Sequence, residues 1–112
     1  MKKKLINLTK NYFNFFRNKD FDNLEKILDA NIMLHDWENL IKGKKKFLDF
    51  NNKIFKKFKR INIKNINTFI LEEKKITCNQ ITVKLDKESI NVIDILYFNK
   101  KNRIKKIEAY KL

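Results

Sequence analysis

At Ile61 the spacing of apolar residues changes from three and four to two, and it stays at two to the end of the chain. The first repeat belongs to helices and the second to strands. In a chain of 112 residues without a proline, that single switch predicts an α+β domain: helices first, then consecutive antiparallel strands whose inner face covers them. No linker or repeat divides the sequence, so residues 1–112 are read as one domain.

Before the switch, Leu5, Leu8, Tyr12, Phe15 and Phe16 draw an apolar stripe down a first helix ending near Lys19. Asp20 is placed to cap a short second helix with Leu24, Ile27 and Leu28 facing inward. Residues 32–37 read as a short strand, after which the pattern lapses. Phe47, Phe50 or Asn51, Ile54, Phe55 and Phe58 then mark a third helix behind Gly43. This is the only glycine in the chain, so it is expected where the backbone needs a positive φ or a tight approach. After the switch we expect strands at about 61–72, 75–85, 89–99 and 103–111, joined by polar hairpin turns. Ile93, Ile95 and Tyr97 are as apolar as Val92, Leu96 and Phe98 behind them, which predicts a second subunit on the outer face and a homodimer.

The net charge of +14 would ordinarily suggest nucleic acid or an anionic surface. Lys, Asn and Ile, however, supply 56 of the 112 residues, and Gly, Ala, Pro and Arg together only 6. That split follows the A/T-rich half of the codon table, and a phosphate-binding surface is expected to use more than three arginines. Most of the charge is therefore read as solvated helix and strand faces. Nucleic-acid binding through Lys44, Lys45, Lys46, Lys56, Lys57, Lys59 and Arg60 is kept as the lower-ranked alternative. One cysteine and one histidine make neither a disulfide nor a metal cluster, and a lone glycine makes no phosphate loop, so no metal or nucleotide cofactor is expected. Cys78 is read as a small strand residue, and His35 as packing or surface. The basic start Met1–Lys4 is not followed by a sufficient apolar run, and no stretch approaches the roughly 20 residues of a membrane span. A soluble, cytoplasmic protein is expected.

Three polar groups stand where apolar ones belong. Asp94 interrupts the alternating row Ile90, Val92, Leu96, Phe98, and a carboxylate among hydrocarbon is costly unless paired or protonated. A core Asp satisfied by an amide or water is the alternative. Tyr12 lies on the first helical stripe. Asp36 shares a strand face with Ile32 and Leu34, while His35 points the other way; as a strand-end Asp, Asp36 is equally suited to capping a turn.

The run Asn11-Tyr12-Phe13, the turn Asn18-Lys19-Asp20, the strand end His35-Asp36, Gly43 ahead of a helix, and the endings Ile93–Phe98 and Lys105–Tyr110 resemble the nuclear transport factor 2-like superfamily, in its SnoaL-like and ketosteroid isomerase-like branch. The resemblance spans nearly the whole chain. It implies a cone: three N-terminal helices packed in a curved antiparallel sheet of about four long strands plus a short one, a deep apolar pocket at the open end, and a dimer. It also implies roles for the trio, with Asp36 as general base and Tyr12 and a protonated Asp94 as oxyanion donors. That enzyme is a standing example of an acid kept neutral in an apolar site. The activity so implied is isomerisation of an apolar carbonyl compound. The alternative is a non-catalytic ligand-binding or dimerisation module of the same fold.

Overall fold

Helix α1 (Lys2–Arg17) begins with three lysines at the positive end of its dipole and no side-chain cap, so packing rather than termini holds it. Its buried residues are Leu5, Thr9, Tyr12 and Phe13, while Leu8, Phe15 and Phe16 pack only partly against the core. The stripe is thus rotated by one position from the one the sequence suggests, because the sheet approaches α1 from the side of Thr9 and Phe13. The computed structural model describes all 112 residues. Lys19 ends the helix at φ 53°, with its N–H bonded to the Phe16 carbonyl and that of Asp20 to Phe15, a Schellman turn in which lysine stands where glycine is usual. Asp20 caps α2 (Phe21–Lys26) by accepting the Asn23 N–H at 3.3 Å.

Strand β1 (Leu28–His35) starts earlier than expected, and a further strand, β2 (Leu40–Lys42), lies where the pattern lapses. Three residues paired only at an edge leave no legible alternation. Gly43 follows at φ 97° and ψ 147°, a region essentially closed to other residues, and α3 (Lys44–Lys57) then buries Phe47, Leu48, Asn51 and Phe55. The long strands are β3 (Ile61–Leu71), β4 (Ile76–Leu85), β5 (Glu88–Phe98) and β6 (Ile104–Lys111). Their turns carry Lys75, Asp86 and Asn102 at positive φ, conformations glycine would adopt more easily.

The sheet has six strands in the order β2-β1-β6-β5-β4-β3. Two details correct the sequence reading. The count is five strands of eight to eleven residues and one of three, and β1 joins β6 in parallel rather than antiparallel. β1 docks on β6, one edge of the four-strand meander, and leaves β3 at the other. The inner face holds Val92, Leu96, Phe98, Ile104 and Ile107 against the helices, all at most 4% exposed. On the outer face Ile93, Ile95 and Tyr97 are half-buried, and Phe69 is 64% exposed. No helix is long and apolar enough to cross a membrane.

Candidate functional site

Between the open end of the sheet and the helices lies a cavity of about 420 Å³, within the size range of small-molecule sites. Its wall is mostly hydrophobic, and Tyr12, Asp36 and Asp94 all line it. Three positions far apart in sequence are brought together by ladder register. Antiparallel pairing sets Asn79 opposite Asp94 and Asp94 opposite Ala109. The parallel β1–β6 ladder ends at His35 opposite Glu108, so Asp36 falls in line with Ala109. The two acids therefore flank one alanine in a single row, with their strands about 10 Å apart. Ala109 has no side chain long enough to fill the gap between them.

Tyr12 reaches the same space from α1, 7% exposed. Burial holds its phenol well above its ordinary 10, and the Asp94 carboxyl adds to the effect. Asp94, also 7% exposed, is pushed up to about 7, by burial first and by the charge of Asp36 second. Each group is thus held toward its protonated, hydrogen-bond-donating form. Neither the Tyr12 hydroxyl nor the Asp94 carboxyl bonds to another protein group, yet no fully enclosed polar side-chain atom is left without a partner. Both polar tips therefore open onto the cavity.

Asp36 is half-buried and more heavily engaged. Its Oδ1 accepts the N–H groups of Glu38 and Asn39 at 2.8 and 2.6 Å and the Asn39 amide at 3.2 Å. Its Oδ2 has a single contact, to the Asn39 amide at 3.3 Å. The residue caps the turn and also faces the cavity, so both sequence readings of it describe part of its environment. Asn39, Asn51 and Lys57 line the cavity as well; Asn51 is legible as an alternative stripe position and the other two carry no signal. His35 is exposed on the opposite side of its strand. Cys78 is half-buried and close enough to Asp94 for that charge to add to the effect of burial in raising its thiol. No group of three or more His, Cys, Asp or Glu side chains is arranged to hold a metal ion.

Sequence reasoning also misses a buried polar chain behind Asp94. Thr9, Thr77 and Asn79 are at most 1% exposed. Thr77 and Asn79 alternate with Ile81 on the inner row of β4, the same signal that draws attention to Asp94.

Known structures share this architecture. A SnoaL-like protein from Burkholderia thailandensis superimposes with a TM-score of 0.84 at 10% identity, covering 100% of this chain and 97% of its own. A protein from Kribbella flavida, provisionally named a ketosteroid isomerase, gives 0.81 at 10% identity, covering 98% of this chain and 78% of its own. An LEH-like epoxide hydrolase from M. tuberculosis gives 0.78 at 14% identity, with 98% and 84% covered. At such identities the likeness is one of fold. No curated protein matches the sequence. The fold is the one shared with NTF2-like proteins of known structure, and because residues 5–92, most of the chain, match the family described as SnoaL-like domain, this protein belongs to the SnoaL-like domain family.

Proposed function

We propose that the protein binds an apolar carbonyl compound in its cavity and isomerises it by acid/base chemistry. The supporting observation is the convergence of two unpartnered proton donors, Tyr12 and Asp94, with a carboxylate on one apolar cavity. In the proposed step, on a β,γ-unsaturated carbonyl compound, Oδ2 of Asp36 takes a proton from the α-carbon, between the carbonyl and the double bond, to give a dienolate. The C–H electrons form the enolate C=C, and the negative oxygen accepts hydrogen bonds from the Tyr12 hydroxyl and the protonated Asp94 carboxyl. Asp36 then returns the proton to the γ-carbon, and the double bond has moved with no net gain or loss of atoms. A donor at about 7 keeps much of its proton at neutral pH. The same reading is consistent with the name given to the Kribbella flavida neighbour.

The second reading, a non-catalytic ligand carrier, is favoured by the commitment of Asp36 Oδ1 to its turn. Two probes separate them. Cyclohex-3-enone in D₂O, followed by proton NMR, should isomerise with deuterium uptake faster than in buffer, and the acceleration should vanish in D36N. The phenol 2-naphthol should raise the melting temperature of the wild type and do so less in Y12F. Binding without isomerisation selects the carrier, and neither effect rejects both.

We further propose that the outer sheet face pairs with a second copy. In a chain carrying +14, that face presents Phe69, Ile93, Ile95 and Tyr97; the lysine beside them, Lys106, lies over the Tyr97 ring and pairs with Glu108 at 3.6 Å, so its charge is locally compensated where two copies would meet. Of the basic residues considered for nucleic acid, Lys44, Lys45 and Lys46 open α3 and Lys56 and Lys57 close it, ~15–20 Å apart at about 1.5 Å per residue, a separation that favours the pocket over a single basic patch.

A further inference from the structure

We propose that Thr77 and Asn79, with Thr9, are positioning residues that fix the Tyr12 hydroxyl relative to the Asp94 carboxyl. The proposal rests on reading those two groups as a donor pair. Thr9 lies one turn before Tyr12 on the same face of α1, and its hydroxyl meets that of Thr77 at 2.9 Å. This is the one side-chain hydrogen bond joining α1 to the sheet. The Asn79 amide donates to the Thr77 hydroxyl at 3.2 Å and to the main-chain oxygen of Asp94 at 3.0 Å. Its Oδ1 accepts the Thr68 hydroxyl at 2.8 Å, and Thr68 in turn accepts from Asn65 at 2.7 Å. The Asp94 carbonyl can only accept, so the amide nitrogen must face it, and the orientation of Asn79 is determined.

The chain therefore runs from the helix turn below Tyr12 to the backbone of Asp94 through side chains at most 1% exposed. Water cannot replace any of its bonds without opening the core. A second consequence concerns the carboxyl. Asn79 sits directly across the ladder from Asp94 on the same face, where an amide could stabilise the carboxylate. Both its N–H groups are already committed elsewhere, so it leaves the anion unsupported. The other ionisable groups lining the cavity with Asp94 are Tyr12 from α1, Asp36 and Glu38 from the turn after β1, and Lys57 at the end of α3, with Cys78 nearby on β4.

The test needs no substrate. In protein labelled with ¹³C at tyrosine Cζ and aspartate Cγ, the Tyr12 signal should step as Asp94 titrates, because the new charge acts on the phenol. The size of that step depends on the separation and orientation of the two groups. T77V, which keeps shape but removes the hydroxyl, should cut the step to about half or less. T77S should restore it, although it removes a buried methyl. T82V removes a hydroxyl bonded to Asn91 on the outer face and should leave the step at its wild-type size. T9V breaks the chain from the helix side and should reproduce T77V, carrying the test if T77V does not fold. A wild-type step in a folded T77V or T9V overturns the proposal, as does loss of the step in T77S. If the protein neither binds 2-naphthol nor isomerises the enone while T77V still loses the step, the acid/base reading fails and the positioning role stands.

Discussion

Replacing Asp94 by asparagine should make the protein more stable at neutral pH and scarcely change it in acid. A carboxyl moved from its ordinary 3.8 to about 7 in the fold corresponds to roughly 4 kcal/mol at about 1.36 kcal/mol for each pKa unit. The sign follows from proton counting. Between pH 4 and 7 the folded protein holds a proton that the unfolded chain has released, so rising pH favours the unfolded chain and the native state weakens. Below about pH 4 both states are protonated and the penalty is absent; above about pH 7 it is complete. At pH 5.5 it should be roughly 2 kcal/mol. The amide side chain of D94N cannot ionise, so the advantage of the variant over the wild type should grow across that window and then level off. Urea unfolding of both proteins at half-unit steps from pH 4 to 8.5 measures the difference directly. Ionisable groups remote from Asp94 are common to both proteins and cancel. Any fixed gain or loss from the new amide shifts every point equally, so the slope is the test. A difference constant within about 0.5 kcal/mol across the range would refute the argument that Asp94 is held protonated by burial.

Two further outcomes follow from the fold. Gly43→Ala should cost about 1–3 kcal/mol in chemical denaturation from backbone strain alone, since no neighbouring atom lies within 4 Å of the added carbon; a neutral result would mean that the β2–α3 junction relaxes. Ile95→Lys, on the outer face, should convert a two-chain particle to a one-chain particle in sedimentation with an unchanged circular dichroism spectrum. An unaltered mass in the variant, or a wild type that is already monomeric, removes the proposed interface.

Which segments are legible depends on how much of their surface is apolar. β5 is legible because both its faces are rich in apolar residues, and Asp94 stands out because it interrupts the row Val92, Leu96 and Phe98 that is pressed against the helices. β2 is invisible: three residues at an edge bury little, and nothing in their order requires a strand. β1 reads as shorter than it is because Asp29, Ala30 and Asn31 interrupt its apolar pattern. On α1, helical period alone cannot choose between neighbouring stripes, and Thr9 carries no apolar signal although it is 1% exposed. Its partner Thr77 lies 68 residues away, and no local pattern links the two.

The order and period of the apolar residues decided that helices come first, that antiparallel strands follow, and that one carboxyl faces inward on β5. Those are local properties, set by which side of each segment must leave water. Only the tertiary structure decided that β1 docks in parallel on β6, which brings Asp36 level with Ala109 and Asp94, and that α1 meets the sheet through Thr9. Ladder register and helix rotation arise from packing between distant segments. They determine which polar groups share a cavity, and a single chain read in order carries no record of either.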